Sequence, residues 1–191
     1  MVNFLKATQK KQQGVTLVEI TVIIGIIIVL SSILIPNYNR AKASFALERS
    51  AHRLAQGIRQ AAEMALASEE CPIGTSCFGT VPPSYGIYIK SGDPGEIFLY
   101  ADTVPLNGNE FYTGGDDKIP DNSLGLESGV YIKNINTNGK VAINFKLPAP
   151  TVTIKWDSEG DDGANVIITL SLKNDPSREK KITVNKAGLI D

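Results

Sequence analysis

The sequence predicts an α+β protein. One long N-terminal helix, membrane-type in its first half and amphipathic in its second, should pack against a C-terminal antiparallel β-sheet domain. Three observations predict this. An apolar run from Val15 to Ile35 follows a short basic leader. Apolar residues then recur on one side only, at spacings of three and four, to about residue 65. From Cys71 onward that spacing gives way to short runs rich in Val, Ile, Tyr and Thr, separated by Gly, Pro, Asn and Asp. The chain divides accordingly into a leader over 1–14, a membrane or assembly helix over 15–35, its amphipathic continuation over 36–70 and a β-rich domain over 71–191.

The leader carries Lys6, Lys10 and Lys11 and no acid. The 21 residues that follow would span about 31 Å as a helix, the thickness of a bilayer's hydrocarbon core. One carboxylate, Glu19, interrupts them. An acid near the centre of such a helix costs about 2.5 to 3.5 kcal/mol, and less near an end, so Glu19 calls for compensation. A cleavable secretory signal does not fit, because the apolar run is too long and Ile33-Leu34-Ile35-Pro36 offers no small-residue cut site. Charge alone does not orient the span, since Arg40, Lys42, Arg49 and Arg53 stand on its far side.

Lys10-Lys11-Gln12-Gln13-Gly14 followed by Val15-Thr16-Leu17-Val18-Glu19 resembles the prepilin peptidase signal of type IV pilins and type II secretion pseudopilins. The resemblance implies cleavage between Gly14 and Val15, N-methylation of Val15 and an assembly role for Glu19. The family's usual first mature residue is Phe, and here it is Val15. It also implies a cytoplasmic leader, a single pass through the bacterial inner membrane and an extracytoplasmic globular domain. The implied partners are prepilin peptidase, other pilin or pseudopilin subunits, the inner-membrane assembly platform and membrane lipid. Two readings of Glu19 follow. Either desolvation keeps it protonated in lipid, or it pairs with the Val15 amine that cleavage creates on a neighbouring subunit.

After Pro36, which stands where the family often has a helix-kinking proline, Leu47, Ala51, Leu54, Ile58, Ala61 or Ala62, and Ala65 form one stripe. Glu48, Arg49, His52, Gln56, Arg59 and Glu63 form the other face, with His52 expected in solvent. The helix is predicted to run from near Val15 to about Glu69, and Gly57 within it marks close packing against the sheet. Six or seven strands are predicted: 85–90, 96–101, 130–135, 141–147, 151–157, 165–173 and 180–186. Val166, Ile168, Leu170 and Leu172 alternate with a mixed face, as in an antiparallel sheet packed on one side. Asp93-Pro94-Gly95 and Asn138-Gly139 signal hairpin turns. The 25 residues from Pro105 to Gly129, with five Gly and six Asp or Asn, show no strand period and read as a functional or mobile loop for partners or cargo. The helix segment 54–61, Tyr85-Gly86-Ile87-Tyr88 and the terminal run 181–190 resemble the minor pseudopilins related to the type II secretion H subunit and FimT-type minor pilins.

Composition narrows the function. The formal net charge is −1, and loss of the leader's three lysines leaves −4. From Cys71 on, 11 Lys plus Arg face 15 Asp plus Glu, so no nucleic acid partner is expected. Cys71 and Cys77, with a single distant His52, fall short of a zinc set. They form a disulfide or stay as two free thiols. Outside the cytoplasm oxidation is favoured, and closing so small a ring contributes about 2 kcal/mol. Calcium is the only cofactor candidate, in the oxygen-rich cluster of Asp116, Asp117 and Asp121 or in the acidic loop 157–163, which departs from the EF-hand pattern. No nucleophile, base and orienter come together, so no enzyme is expected. The leading expectation is therefore a prepilin-like structural subunit, minor in type, of a type II secretion pseudopilus or a type IV pilus. The competing one is a single-span sensor or binding protein with an extracytoplasmic β domain.

Overall fold

A computed structural model describes residues 14–92, 95–104, 108–137, 139–146, 151–156 and 163–187, with backbone only at 36 and 121–123. It holds one long helix, α1 (Leu17–Leu66), and eight strands: β1 (Ser84–Lys90), β2 (Glu96–Asp102), β3 (Asp117–Ser123), β4 (Val130–Ile135), β5 (Lys140–Lys146), β6 (Thr151–Lys155), β7 (Asn165–Leu172) and β8 (Asp175–Asn185). The chain separates into two compact units, 1–41 and 42–191.

In the first unit, α1 begins where Thr16 caps it: the Thr16 Oγ1 accepts the Glu19 N–H at 3.3 Å and the Thr16 carbonyl accepts the Ile20 N–H at 3.2 Å. The helix is continuous through position 36. Its apolar side chains, from Leu17 to Ile35, are exposed on every side, and its most apolar 18-residue window is 0 % buried. A helix of that kind requires lipid or neighbouring helices as its solvent. One such membrane-length helix is present among the described residues.

In the second unit the rest of α1 is amphipathic as predicted. Leu47, Ala51, Leu54, Ile58, Ala61 and Ala65 are buried, whereas Glu48, Arg49, His52, Gln56, Arg59 and Glu63 are exposed. The helix stops at Leu66, three residues before the expected Glu69, because Ser68 turns left-handed (φ 49°). Glu69 then returns its N–H to the Met64 carbonyl and Ser68 its N–H to Ala65, a Schellman ending built without glycine.

The antiparallel β domain is made of two sheets. Sheet A has the order β3-β2-β1-β5-β6 and sheet B the order β4-β7-β8. Alternation decides the faces. Tyr85, Ile87 and Ile89 of β1, Leu99 and Ala101 of β2, Val141 and Ile143 of β5, and Val166, Ile168 and Leu170 of β7 join the α1 stripe in one core. On the opposite face of sheet A, Tyr88, Tyr100, Phe111 and Ala142 make a second, smaller core, flanked by Phe98 and Tyr112.

Three expectations are corrected. The stretch 105–129 contains a strand: β3 pairs with β2 through Tyr100↔Lys118 and Ala101↔Asp117. Its period was hidden by Pro120 and by the irregular register between Phe98 and Tyr100. The last strand starts at Asp175, not Lys180, because a bulge near Ser171 takes up Pro176, whose carbonyl the Ser171 hydroxyl reaches. Finally, the neighbour of Gly57 is Leu124, on the connection between β3 and β4, rather than a sheet residue. Residues 93, 94 and 138 of the two turn signals, most of the acidic loop 157–163, residues 105–107, the end of the 181–190 run and the leader up to Gln13 lie outside the described residues.

Candidate functional site

The candidate residues are distributed over both units. At the start of α1, Gly14, Val15 and Thr16 precede the first helical turn, and all three are exposed. A Cβ built on Gly14 would meet nothing within 4 Å. The peptide bond between Gly14 and Val15 is thus unobstructed by the described residues. Glu19 occupies the third helical position, exposed, one turn beyond that bond. There the partial positive charge of the helix start favours a carboxylate. Thr16-Leu17-Val18-Glu19 has the spacing of a capping box, of which the hydroxyl half is formed.

In the globular unit, Cys71 and Cys77 are joined as a disulfide with Cα atoms 5.6 Å apart, and no free cysteine remains. Cys71 is buried in the main core immediately after the helix end. The Tyr85 hydroxyl donates to the Glu69 carbonyl at 2.8 Å, and burial together with the Glu69 charge pushes its pKa up to about 12. The helix end, the disulfide ring and the start of β1 are therefore one packed corner.

Asp116 and Asp117 are adjacent in sequence and serve different partners. Asp116 is 6 % exposed, and its carboxylate accepts the N–H groups of Thr103 (3.1 Å), Val104 (2.9 Å) and Thr113 (2.6 Å) and the Thr113 hydroxyl (2.9 Å). Asp117 accepts from the disulfide ring: the N–H of Ser76 at 2.9 Å, the Ser76 hydroxyl at 2.7 Å and the N–H of Cys77 at 3.2 Å. Asp121 is placed in β3 by its backbone. No group of three or more metal-ligating side chains occurs among the described residues. The two aspartates do the work of turn and loop acceptors here, a role acidic residues take where backbone donors would otherwise be orphaned.

Sequence reasoning missed the fastening of the 108–116 segment across the outer face of sheet A. The buried Asp102 carboxylate accepts the N–H groups of Asn109 (3.2 Å) and Glu110 (2.7 Å) and the Ser84 hydroxyl (3.0 Å). Beside it, the Tyr100 hydroxyl donates to Asn144 Oδ1 at 2.8 Å, and the Asn144 amide donates to the Glu110 carbonyl. Gly86 makes room, since a Cβ there would lie 2.8 Å from the Tyr100 ring. The signal available was the alternation of β2, which places Asp102 on the same face as Phe98 and Tyr100. Also missed was Ser50, buried within the α1 stripe, whose hydroxyl accepts the Glu127 N–H at 3.0 Å. The Glu127 carboxylate pairs with Arg53 at 2.9 Å and with Arg49 at 3.6 Å. A serine at stripe spacing from Leu47 and Leu54 was its signal.

The described residues make an α+β, generically pilin-like architecture: a single N-terminal helix, apolar and membrane-type at first and amphipathic afterwards, whose amphipathic part packs against antiparallel sheet. No protein-family model matches the chain, and neither the curated proteins nor the solved structures yield a match to it.

Proposed function

We propose that this chain is a prepilin-like structural subunit, a minor one, cut between Gly14 and Val15 by prepilin peptidase in the bacterial inner membrane. It is then assembled into a type II secretion pseudopilus or a type IV pilus, with its β domain outside the cytoplasm. One observation carries the reading: a run of apolar side chains exposed on every side holds a single carboxylate, Glu19, one helical turn beyond an unobstructed Gly14–Val15 bond. In a bundle of such helices the new Val15 amine of one subunit neutralises Glu19 of the next. That pairing offsets a burial cost that neither charge could bear alone. The role is structural, and the chain contributes no catalysis.

The test is the N-terminus of the full chain co-expressed with a prepilin peptidase, read by mass spectrometry. Mature protein should begin at Val15, and Gly14→Ala should leave the precursor uncut. Because a methyl group at Gly14 meets no described atom within 4 Å, a block would report on recognition by the peptidase rather than on misfolding. Glu19→Leu should be cut and inserted as the parent is, yet enter filaments poorly. A mature chain starting elsewhere, or normal assembly of Glu19→Leu, overturns the proposal.

A further inference from the structure

The Cys71–Cys77 ring lies against β3. Gly74 (φ 98°) and Gly79 (φ 75°) take left-handed turns within and just after it, and Cys71 and Thr80 are bonded across its base, N–H to carbonyl at 2.9 Å. The Thr75 hydroxyl caps the Pro72 carbonyl at 2.7 Å. So folded, the ring aims the N–H groups of two successive residues, Ser76 and Cys77, and the Ser76 hydroxyl at the Asp117 carboxylate. Successive N–H groups converging on one anion form a nest, and its donors are held together only while the loop keeps its turn.

Asp117 is the first residue of β3, and β3 is held besides by its pairing with β2, by Ile119 buried in the main core and by Lys118 over the Phe98 ring. β3 is an edge strand, and its register with β2 slips between Phe98 and Tyr100. Its ladder resumes only at Ser123, opposite Phe98. Beyond that, the chain is fastened to α1 by Leu124 over Gly57 and by Glu127 on Ser50 and Arg53. The disulfide ring is therefore one fastening at the N-terminal end of the 117–127 segment, next to the bonds that hold Asp116, as Glu127 is its C-terminal one.

We infer that the Cys71–Cys77 disulfide is a redox-dependent lock on the edge strand β3, acting through Asp117. The lock closes by thiol–disulfide exchange. A disulfide donor R–S–S–R accepts the two electrons of the Cys71 and Cys77 thiols, leaves as two R–SH molecules carrying their two protons, and the Cys71–Cys77 bond forms. In the reduced chain the ring opens, Asp117 loses its nest, and β3 frays from β2 while sheet B and the β5–β6 pair stay folded. An oxidising compartment would then complete the sheet that a reducing one leaves open.

Amide hydrogen exchange on the full-length chain in detergent micelles tests this, oxidised and after dithiothreitol, with thiol alkylation to verify reduction. Amides of Lys118, Ile119 and residues 121–123 should exchange at least about tenfold faster once reduced, and those of β5 and β7 should change by less than about twofold, as a local opening requires. Asp117→Asn with the disulfide intact should reproduce the β3 effect, and Cys71→Ser/Cys77→Ser should match the reduced chain with or without dithiothreitol. Unchanged protection of β3 on reduction overturns the lock. So does an equal acceleration across β5 and β7, which would make the bond a general crosslink. Full β3 protection in Asp117→Asn would show that the route does not run through that carboxylate.

Discussion

Replacing Gly57 with alanine sets two effects of known size against each other. Within a helix interior the change should gain about 1 kcal/mol, because alanine loses less backbone freedom on folding. Here the new Cβ would collide with the Leu124 side chain, with Cδ2 at 2.9 Å and Cγ at 3.1 Å, and its nearest neighbour, Cδ1, closer still. Forcing one methyl into an occupied site costs about 1 to 3 kcal/mol. The net expectation is a loss of about 0 to 2 kcal/mol, reduced where the half-buried Leu124 swings aside. Leu124→Ala removes the obstruction, so in that background Gly57→Ala should recover its full gain of about 1 kcal/mol. The coupling between the two sites is then about 1 to 3 kcal/mol, well above the error of a double-mutant cycle. Urea unfolding of the full chain in detergent micelles, followed by fluorescence of Trp156, the single tryptophan, measures all four proteins. If Gly57→Ala stabilises equally in both backgrounds, Leu124 does not fill that notch and the reasoning fails.

Two other measurements probe the carboxylates of the sheet domain. Asp116→Ala strands three backbone donors and the Thr113 hydroxyl at a buried position. It should cost about 3 kcal/mol in the same unfolding assay, and a loss below about 1 kcal/mol would refute the anchoring role. Asp102 tests the sign of a pH effect. Burial raises its carboxyl above the usual 3.8, against the opposing bonds from Glu110, Asn109 and Ser84. The folded chain thus holds this proton to higher pH than the unfolded chain does. The side chain's contribution is greatest below the unfolded value and falls as pH rises through the folded one. The stability of the parent relative to Asp102→Asn should therefore decline as pH rises above the ordinary carboxyl value of 3.8, and a difference that grows there refutes the assignment.

Much of this architecture was legible because it rests on periodicity. The α1 stripe and β1, β2, β4, β5, β6 and β7 follow repeats of 3.6 and 2, which the residues carry in themselves. What was not legible depends on partners remote in sequence. Nothing around Ser68 announces a left-handed residue, since the glycine that ordinarily marks such an ending is absent. The pairing of β3 is visible only once β2 is beside it, because Pro120 and the flanking aspartates resemble a loop. The carboxylates of Asp116 and Asp117, adjacent in sequence, take different partners: the N–H groups of Thr103, Val104 and the nearby Thr113 for Asp116, those of Ser76 and Cys77 for Asp117. Spacing in sequence indicates that acids are near one another, but not which way they point.

Pro120, exposed within β3, bears on how copies of this domain tolerate crowding. The strand behind it, Glu96-Ile97-Phe98-Leu99-Tyr100-Ala101-Asp102, has the composition that seeds cross-β fibrils when its border is bare. A proline in the outermost strand supplies no N–H, so an incoming chain finds an interrupted template there. At high local density, neighbouring domains would meet along that side a border that resists pairing.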